Sequence, residues 1–310
     1  MTVFALTILG NNSALPAHGR APTAQVVTYH NRRYLVDCGE GTQMQMSRYK
    51  IRRSKIGHIF ISHLHGDHYY GLPGLINSLS LTGRKAPLHV YAPPELEPIL
   101  QLQLQCADTQ LGYELLFTPL TAEGTGLLLD EGDLQVHYFS TQHRIPCFGF
   151  LFREIHRKRK IDPERILRYA IPVEYYKRLQ QGEDYTAPDG TVIPNEQLTL
   201  PPPPGRSYAY CADTRYTESL IPQVSGCDLL YHETTYLEHE AEKAFRRYHS
   251  TTVQAATLAV RAGVKKLLVG HFSSQYESLD PFAEECRPVF PRTETALEGV
   301  SYIIPPPSYS

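Results

Sequence analysis

The sequence has no CxxC pair, no long apolar run, no internal repeat and no excess of either charge. Its six cysteines, at 38, 106, 147, 211, 227 and 286, are scattered, which excludes a disulfide framework and a cysteine zinc site. Such usage points to a reducing, cytoplasmic setting. No stretch approaches the ~18 apolar residues of a membrane-spanning helix, so no membrane partner is expected. The start, MTVFALTILGNN, lacks a basic segment and a cleavage pattern, so it reads as a first strand and not a signal peptide. With 30 basic against 32 acidic residues, no global field calls for nucleic acid. A polyanionic partner would need a local basic surface.

What is present is a core-forming chain of 310 residues, 42% of them hydrophobic. TVFALTILG reads as a strand, and QVVTYHNRRYLVDCGEG as a hairpin with Asn31 and Arg32 near its turn. HIFIS, LHVYAP, LQVHYFS, SYAYC, DLLYHE and KKLLVG are further strand candidates. STTVQAATLAVRAG reads as a helix capped by Ser250, with Val253, Ala256 and Val260 on one face and Gly263 as its stop. Strands alternating with helices, after early hairpins, predict an α/β fold with mixed sheets.

One stretch departs from this grammar. Residues 152–205 hold no clear core strand and close on a stiff PPPP run. Within 153–178 stand nine Lys/Arg and four Asp/Glu, net +5, while the rest of the chain is 21 against 28, net −7. The segment reads as a basic arm inserted between core portions 1–151 and 206–310. Arg157, Lys158, Arg159 and Lys160 are its densest cluster. The plain alternative is a solvated helical face followed by a loop.

The strongest chemical signal is His63-Leu64-His65-Gly66-Asp67-His68. Residues two apart in an extended segment point the same way, so His63 and His65 can grip one ion. Gly66 permits a sharp turn, and Asp67 and His68 can then face a second. Imidazole and carboxylate suit zinc, with manganese or iron as alternatives. Two ions need more donors. His143, Asp213 and His271 each follow a strand-like run, where a sheet positions reactive groups. They complete a set of seven, with Asp213 able to bridge.

HLHGDH resembles the HxHxDH signature of the metallo-β-lactamase superfamily. GNNSALP, LVDCGEGTQMQM, HRIPCFGF, ADTRY, HETTY, HSTTVQAA and GHFSSQY resemble, in order, the motifs of the ribonuclease Z family, over nearly the whole chain outside the arm. The resemblance implies an αββα sandwich of two mixed β-sheets flanked by helices, with an inserted flexible arm that grips the tRNA elbow. It implies two zinc ions, one on His63, His65 and His143, the other on Asp67, His68 and His271, with Asp213 between them. It also implies that Asp67 accepts the proton of the attacking water. The activity it implies is endonucleolytic removal of 3′ trailers from precursor tRNA by a homodimer. The leaving 3′ oxygen needs a proton. His249 is the candidate donor and Glu233 its orienting partner. For both, a purely structural role is the competing reading. His232, beside Glu233, reads as structural, and His18, His30, His58, His89, His137, His156 and His239 take no role. Two positions depart from the family pattern: Ala212 where glycine is usual, and Gln275 where arginine is common. Two other functions stay open: a small-substrate hydrolase of the same fold, such as a lactonase or cyclic-nucleotide phosphodiesterase, and an RNA chaperone with a dead site.

Overall fold

In chain order the first sheet is built from β1 (Phe4–Gly10), β2 (Ala24–Tyr29), β3 (Arg32–Cys38), β4 (Ile56–Phe60), β5 (Leu88–Ala92) and β6 (Leu115–Pro119). The second starts with β7 (Gly126–Asp130), β8 (Leu134–Ser140) and β9 (Phe148–Glu154). Four two-residue strands follow: β10 (Lys160–Ile161), β11 (Tyr185–Thr186), β12 (Val192–Ile193) and β13 (Thr199–Leu200). The second sheet resumes with β14 (Ser207–Cys211), β15 (Leu229–Glu233), β16 (Leu267–Gly270) and β17 (Thr293–Thr295), and β18 (Ser301–Ile303) returns to the first. This computed structural model describes residues 3–121, 125–156, 158–202 and 204–306.

The first sheet runs β18-β1-β2-β3-β4-β5-β6, antiparallel as far as β3 and parallel beyond it. The second runs β17-β16-β15-β14-β9-β8-β7, with β14 to β17 parallel. The expected hairpin is β2–β3, with His30 and Asn31 in its turn and Arg32 already paired to Tyr29.

Side chains alternate along each strand, and the sequence uses the two faces differently. Aromatic rings fill the space between the sheets. Phe60 on β4 lies 5.4 Å from Phe150 and 5.5 Å from Phe152 on β9, and Tyr34 on β3 lies 5.8 Å from Phe152. Their aliphatic neighbours face outward. Ile59 packs with Leu72, Leu75, Ile76 and Leu79 of the helix Leu72–Leu81. Leu151, Ala209, Cys211 and Leu230 pack with Ala256, Leu258 and Ala259 of the helix Thr252–Ala262. The result is four layers, helix, sheet, sheet, helix. Truncating a ring such as Phe60, fully buried, to alanine would cost about 3–5 kcal/mol.

The helix Thr252–Ala262 differs from expectation at its start and on its face. Thr251 caps it, in a reciprocal box with Gln254. Ser250 is committed elsewhere: its backbone N–H donates to Glu233 Oε1 and its hydroxyl to the Thr214 carbonyl. The buried face is Ala255, Ala256, Leu258, Ala259 and Ala262, while Val260 is exposed. Gly263 ends the helix in the left-handed conformation, as expected.

Two compact units divide the chain. The larger comprises Met1–Leu128, Val136–Phe152 and Ser207–Pro305. The smaller is chiefly Arg153–Arg206 with Leu129–Gln135. The smaller unit has a core of its own, built of Ile166, Ile171, Leu179, Tyr185, Ile193 and Leu198. Asp162 caps its helix Pro163–Arg168. Near the ends of Arg153–Arg206, Glu154 and Arg206 form a buried two-pronged ion pair, 2.7 Å between Oε1 and Nη2 and 2.8 Å between Oε2 and Nε. No helix among the described residues is long and apolar enough to cross a membrane.

Candidate metal centre

Parallel strands of a sheet end at a common edge, and residues at or just past strand ends of both sheets make up the site. His63 follows β4, Asp213 follows β14, Glu233 closes β15 and His271 follows β16. His143 follows β8 by three residues. Asp37, one residue from the end of β3, lies beneath them, fully buried.

The seven expected donors fall into two groups. In the first, His63 Nε2 lies 2.9 Å from His65 Nδ1, which lies 3.2 Å from His143 Nε2. Asp213 Oδ2 is 3.5 Å from His63 and 3.8 Å from His143. In the second, His68 Nε2 and His271 Nε2 are 3.2 Å apart, and Asp67 Oδ2 lies 3.6 and 3.4 Å from them. Asp213 Oδ1 is 3.4 Å from His68 and 3.2 Å from His271. A tetrahedral zinc with bonds of about 2.0–2.1 Å spaces its donor atoms about 3.3 Å apart. Both groups have that spacing, and Asp213 turns one oxygen to each.

Two further observations test the fit. Asp213 Oδ1 is buried without a hydrogen-bond partner, a cost that a cation would remove. The carboxylates of Asp37, Asp213 and Glu233 are all buried around imidazoles, so the centre calls for positive charge. Burial acts to raise the Asp213 pKa, but His271, His68 and His63 outweigh it and hold the carboxyl well below the usual range. Burial lowers His63 well below the ordinary histidine value and His65 to about 4, keeping both neutral and able to donate a lone pair.

Residues beyond the seven hold the imidazoles in place. Asp37 Oδ2 accepts from His68 Nδ1 at 2.7 Å and from the Tyr210 hydroxyl at 2.6 Å, and Oδ1 accepts from the Ser62 backbone at 2.7 Å. This fixes the tautomer that leaves His68 Nε2 free. The Thr235 hydroxyl lies 2.9 Å from His271 Nδ1 and 2.8 Å from Glu233 Oε2. The Tyr248 carbonyl accepts from His143 Nδ1 at 3.0 Å. Asp67 Oδ2 accepts from the Ala14 backbone at 2.7 Å. The sequence marks none of Asp37, Ser62, Tyr210, Thr235, Tyr248 and Ala14 as site residues, although Asp37 sits within the motif LVDCGEG.

His249 and Glu233 stand together beside this cluster. His249 Nδ1 is 3.0 Å from Glu233 Oε1, and Glu233 also accepts from the Thr214, Thr235 and Ser250 backbones. Burial works to lower His249, but Glu233 overrides it and raises the imidazole to about 9. The ring is only 4.0 Å from Asp213 Oδ2. His232, with its Nδ1 on the Glu233 carbonyl, is fully buried.

Gly66 serves a purpose other than the expected sharp turn. Its φ is not positive, and it opens a short helix; an added Cβ would lie 2.2 Å from the Tyr70 ring. The glycine makes room for that ring in the wall of a cleft of about 360 Å³, lined also by Asp67, His65, Arg144 and Asp213.

In the basic cluster, Lys158 and Lys160 are exposed. Arg159 is half-buried, its Nε donating to Thr199 Oγ1 at 2.7 Å. Arg157 lies outside the described residues. The departures from the family pattern are accommodated. Ala212 is buried, and Gln275 accepts from Lys243 Nζ at 2.6 Å.

A sequence profile for the family described as Anti-Pycsar protein Apyc1 matches residues 4–160. That span includes the HLHGDH segment but stops short of Asp213, Glu233, His249 and His271. The ribonuclease Z of Parabacteroides distasonis is 42% identical over 300 residues, 97% of this chain and 99% of that protein. Among solved structures, human tRNase Z, short form, superposes with a TM-score of 0.71 at 26% identity, covering 97% of this chain and 99% of the other. The metallo-β-lactamase fold protein YhfI of Bacillus subtilis superposes at 0.69 with 18% identity, over 97% and 99%.

Proposed function

The chain belongs to the ribonuclease Z family, within the metallo-β-lactamase fold, and from that premise we propose that it is the endoribonuclease that removes 3′ trailers from precursor tRNA. Cleavage leaves a 3′-hydroxyl on the tRNA and a 5′-phosphate on the trailer. The single observation that carries this reading is the 42% identity to a ribonuclease Z over 97% of this chain; Asp213, with one carboxylate oxygen turned to each donor group, supports a two-ion centre within it.

We assign His63, His65 and His143 to one divalent ion, and Asp67, His68 and His271 to a second, with Asp213 shared. The donors suit two zinc ions, with manganese or iron as alternatives. Such ions, when bound, lower the pKa of a water and offset charge that develops on phosphoryl oxygens. The chain's own groups do the rest. Asp67, fixed by the Ala14 N–H, accepts the proton of the attacking water. His249, charged through Glu233, donates a proton to the leaving 3′ oxygen. Glu233 anchors Nδ1 of that ring, so the donor is Nε2.

Lys158, Arg159 and Lys160, with Arg157, form the RNA-binding part of the 152–205 arm in this reading, gripping phosphates of the tRNA. Their net positive charge in a chain of net charge −2 supports it. In this reading the enzyme works in the cytoplasm as a homodimer. The six cysteines, all free, fit that compartment.

The match of residues 4–160 to the Apyc1 profile favours one second reading, a phosphodiesterase of the same fold acting on a small substrate. The experiment that decides is mapping of the cut ends of a precursor tRNA, with and without chelator, beside hydrolysis of cyclic nucleotides. A chelator-sensitive cut at the trailer junction is expected. Turnover of a cyclic nucleotide with the precursor left whole would overturn the processing reading.

A further inference from the structure

Arg215 stands two residues beyond Asp213 and has no use in the chemistry above. Its guanidinium carbon lies 3.5 Å from the centre of the Tyr248 ring and 4.4 Å from that of Phe245. Its Nε is buried with no hydrogen-bond partner, and its side chain makes no hydrogen bond or ion pair among the described residues. Its backbone is fixed: the N–H donates to the Gln142 carbonyl at 2.9 Å, and the adjoining Thr214 hydroxyl accepts from the Gln142 N–H at 3.0 Å. Arg215 is thereby tied to the loop that carries His143, and Tyr248, on which it stacks, holds His143 through its carbonyl.

Arg215 is half-buried, and a donor that is itself buried without a partner, as its Nε is, costs free energy until an acceptor completes it. A guanidinium plane oriented by two rings, with its N–H edge unmatched, is a fork suited to a phosphate. The same edge of the molecule is crowded with carboxylates that repel RNA, so a cation there has a task. We infer that Arg215 receives a backbone phosphate of the RNA next to the one being cleaved, with Tyr248 and Phe245 fixing the fork. This rests on the RNA-processing reading.

The competing role is a strut, in which Arg215 only steadies Tyr248 and, through it, His143. The test pairs Arg215→Gln and Arg215→Lys with precursor tRNAs that carry one uncharged methylphosphonate linkage at successive positions around the cut. In the unaltered enzyme, one linkage beside the scissile phosphate should lower kcat/KM on the order of tenfold. Arg215→Gln should lose a similar factor on natural RNA, become insensitive to that linkage, and reduce the log–log salt slope of RNA binding by about 0.7–0.9. Arg215→Lys, which keeps the charge without the fork, should recover part of the loss. Additive losses from the variant and the linkage would overturn the inference. So would an unchanged salt slope together with an equal loss on bis(p-nitrophenyl) phosphate, the signature of a strut. If the unaltered enzyme leaves precursor tRNA uncut, the processing reading fails by itself. The salt slope measured on a short single-stranded RNA then decides Arg215, and equal slopes in both proteins overturn it.

Discussion

His68 Nδ1 lies 2.7 Å from Asp37 Oδ2, across 31 residues of sequence and with both side chains fully buried. Asp37 is itself held by the Tyr210 hydroxyl and by Ser62, and it adopts a left-handed φ of 56° to reach this position. A non-glycine residue at such a φ is strained unless its surroundings repay the cost. Here the return is one imidazole locked with Nε2 turned towards His271 and Asp213.

Asp37→Asn keeps the volume but removes the anion that fixes the His68 tautomer. Metal affinity should fall by about 10- to 100-fold, the usual effect of losing such a support. Competition with a chelator of known affinity measures it directly. Unchanged affinity would show that His68 needs no orientation from below.

Much of the candidate centre could be read from sequence because its expected donors sit just past strand ends, where a short strand-like run marks the place. HLHGDH, His143, Asp213 and His271 all have that signature. Asp37 does not: it is an acid inside a strand, and only the fold brings β3 next to the turn after β4. The Thr235 hydroxyl joins His271 to Glu233 for the same reason, by pairing of β15 with β16. The start of the helix Thr252–Ala262 shows the limit of local rules. Ser250 and Thr251 are both fit to cap, and Glu233 and Thr214 decide by engaging Ser250. The Val253, Ala256, Val260 stripe is real in sequence, yet close packing selects the alanine-rich face beside it.

His249→Ala removes the proposed proton donor but none of the seven donors assigned to the ions. Turnover on precursor tRNA should fall by about 100- to 10,000-fold, the range of general acid catalysis. Bound metal per subunit, read by elemental analysis, should match the unaltered enzyme. Loss of metal along with activity would move His249 from proton donor to ligand. The 4.0 Å separation from Asp213 makes that a real alternative to exclude.

The arm offers a prediction in which binding separates from chemistry. Lys158→Glu with Lys160→Glu reverses two exposed charges without touching the apolar cluster of Ile166, Leu179 and Leu198. KM for precursor tRNA should rise, and the salt slope should fall by roughly one unit for each phosphate that the arm no longer neutralises. Hydrolysis of bis(p-nitrophenyl) phosphate should decline far less. Equal declines on both substrates would argue against an RNA grip that is separate from the chemistry.

Acid stability should depend on a histidine that takes no part in the site. His58 on β4 stacks on His89 at 4.8 Å and lies near Tyr34, with Nδ1 3.3 Å from the Tyr91 hydroxyl. Burial first, then His89, Arg32 and Arg84, pushes its pKa down to about 4. The unfolded chain titrates near 6.5. Above that value His58 is neutral in both states and costs nothing. As pH falls from about 6.5 to about 4 the unfolded state takes up a proton that the folded state refuses, so stability is lost across that window. His58→Gln should flatten this part of the profile, so the urea midpoint should drop less between pH 7 and pH 5 than in the unaltered protein. Every other residue is the same in the two proteins, so the difference between them isolates His58. An identical drop would show that the folded protein accommodates a charged His58, and that the stack on His89 opens to let the proton in.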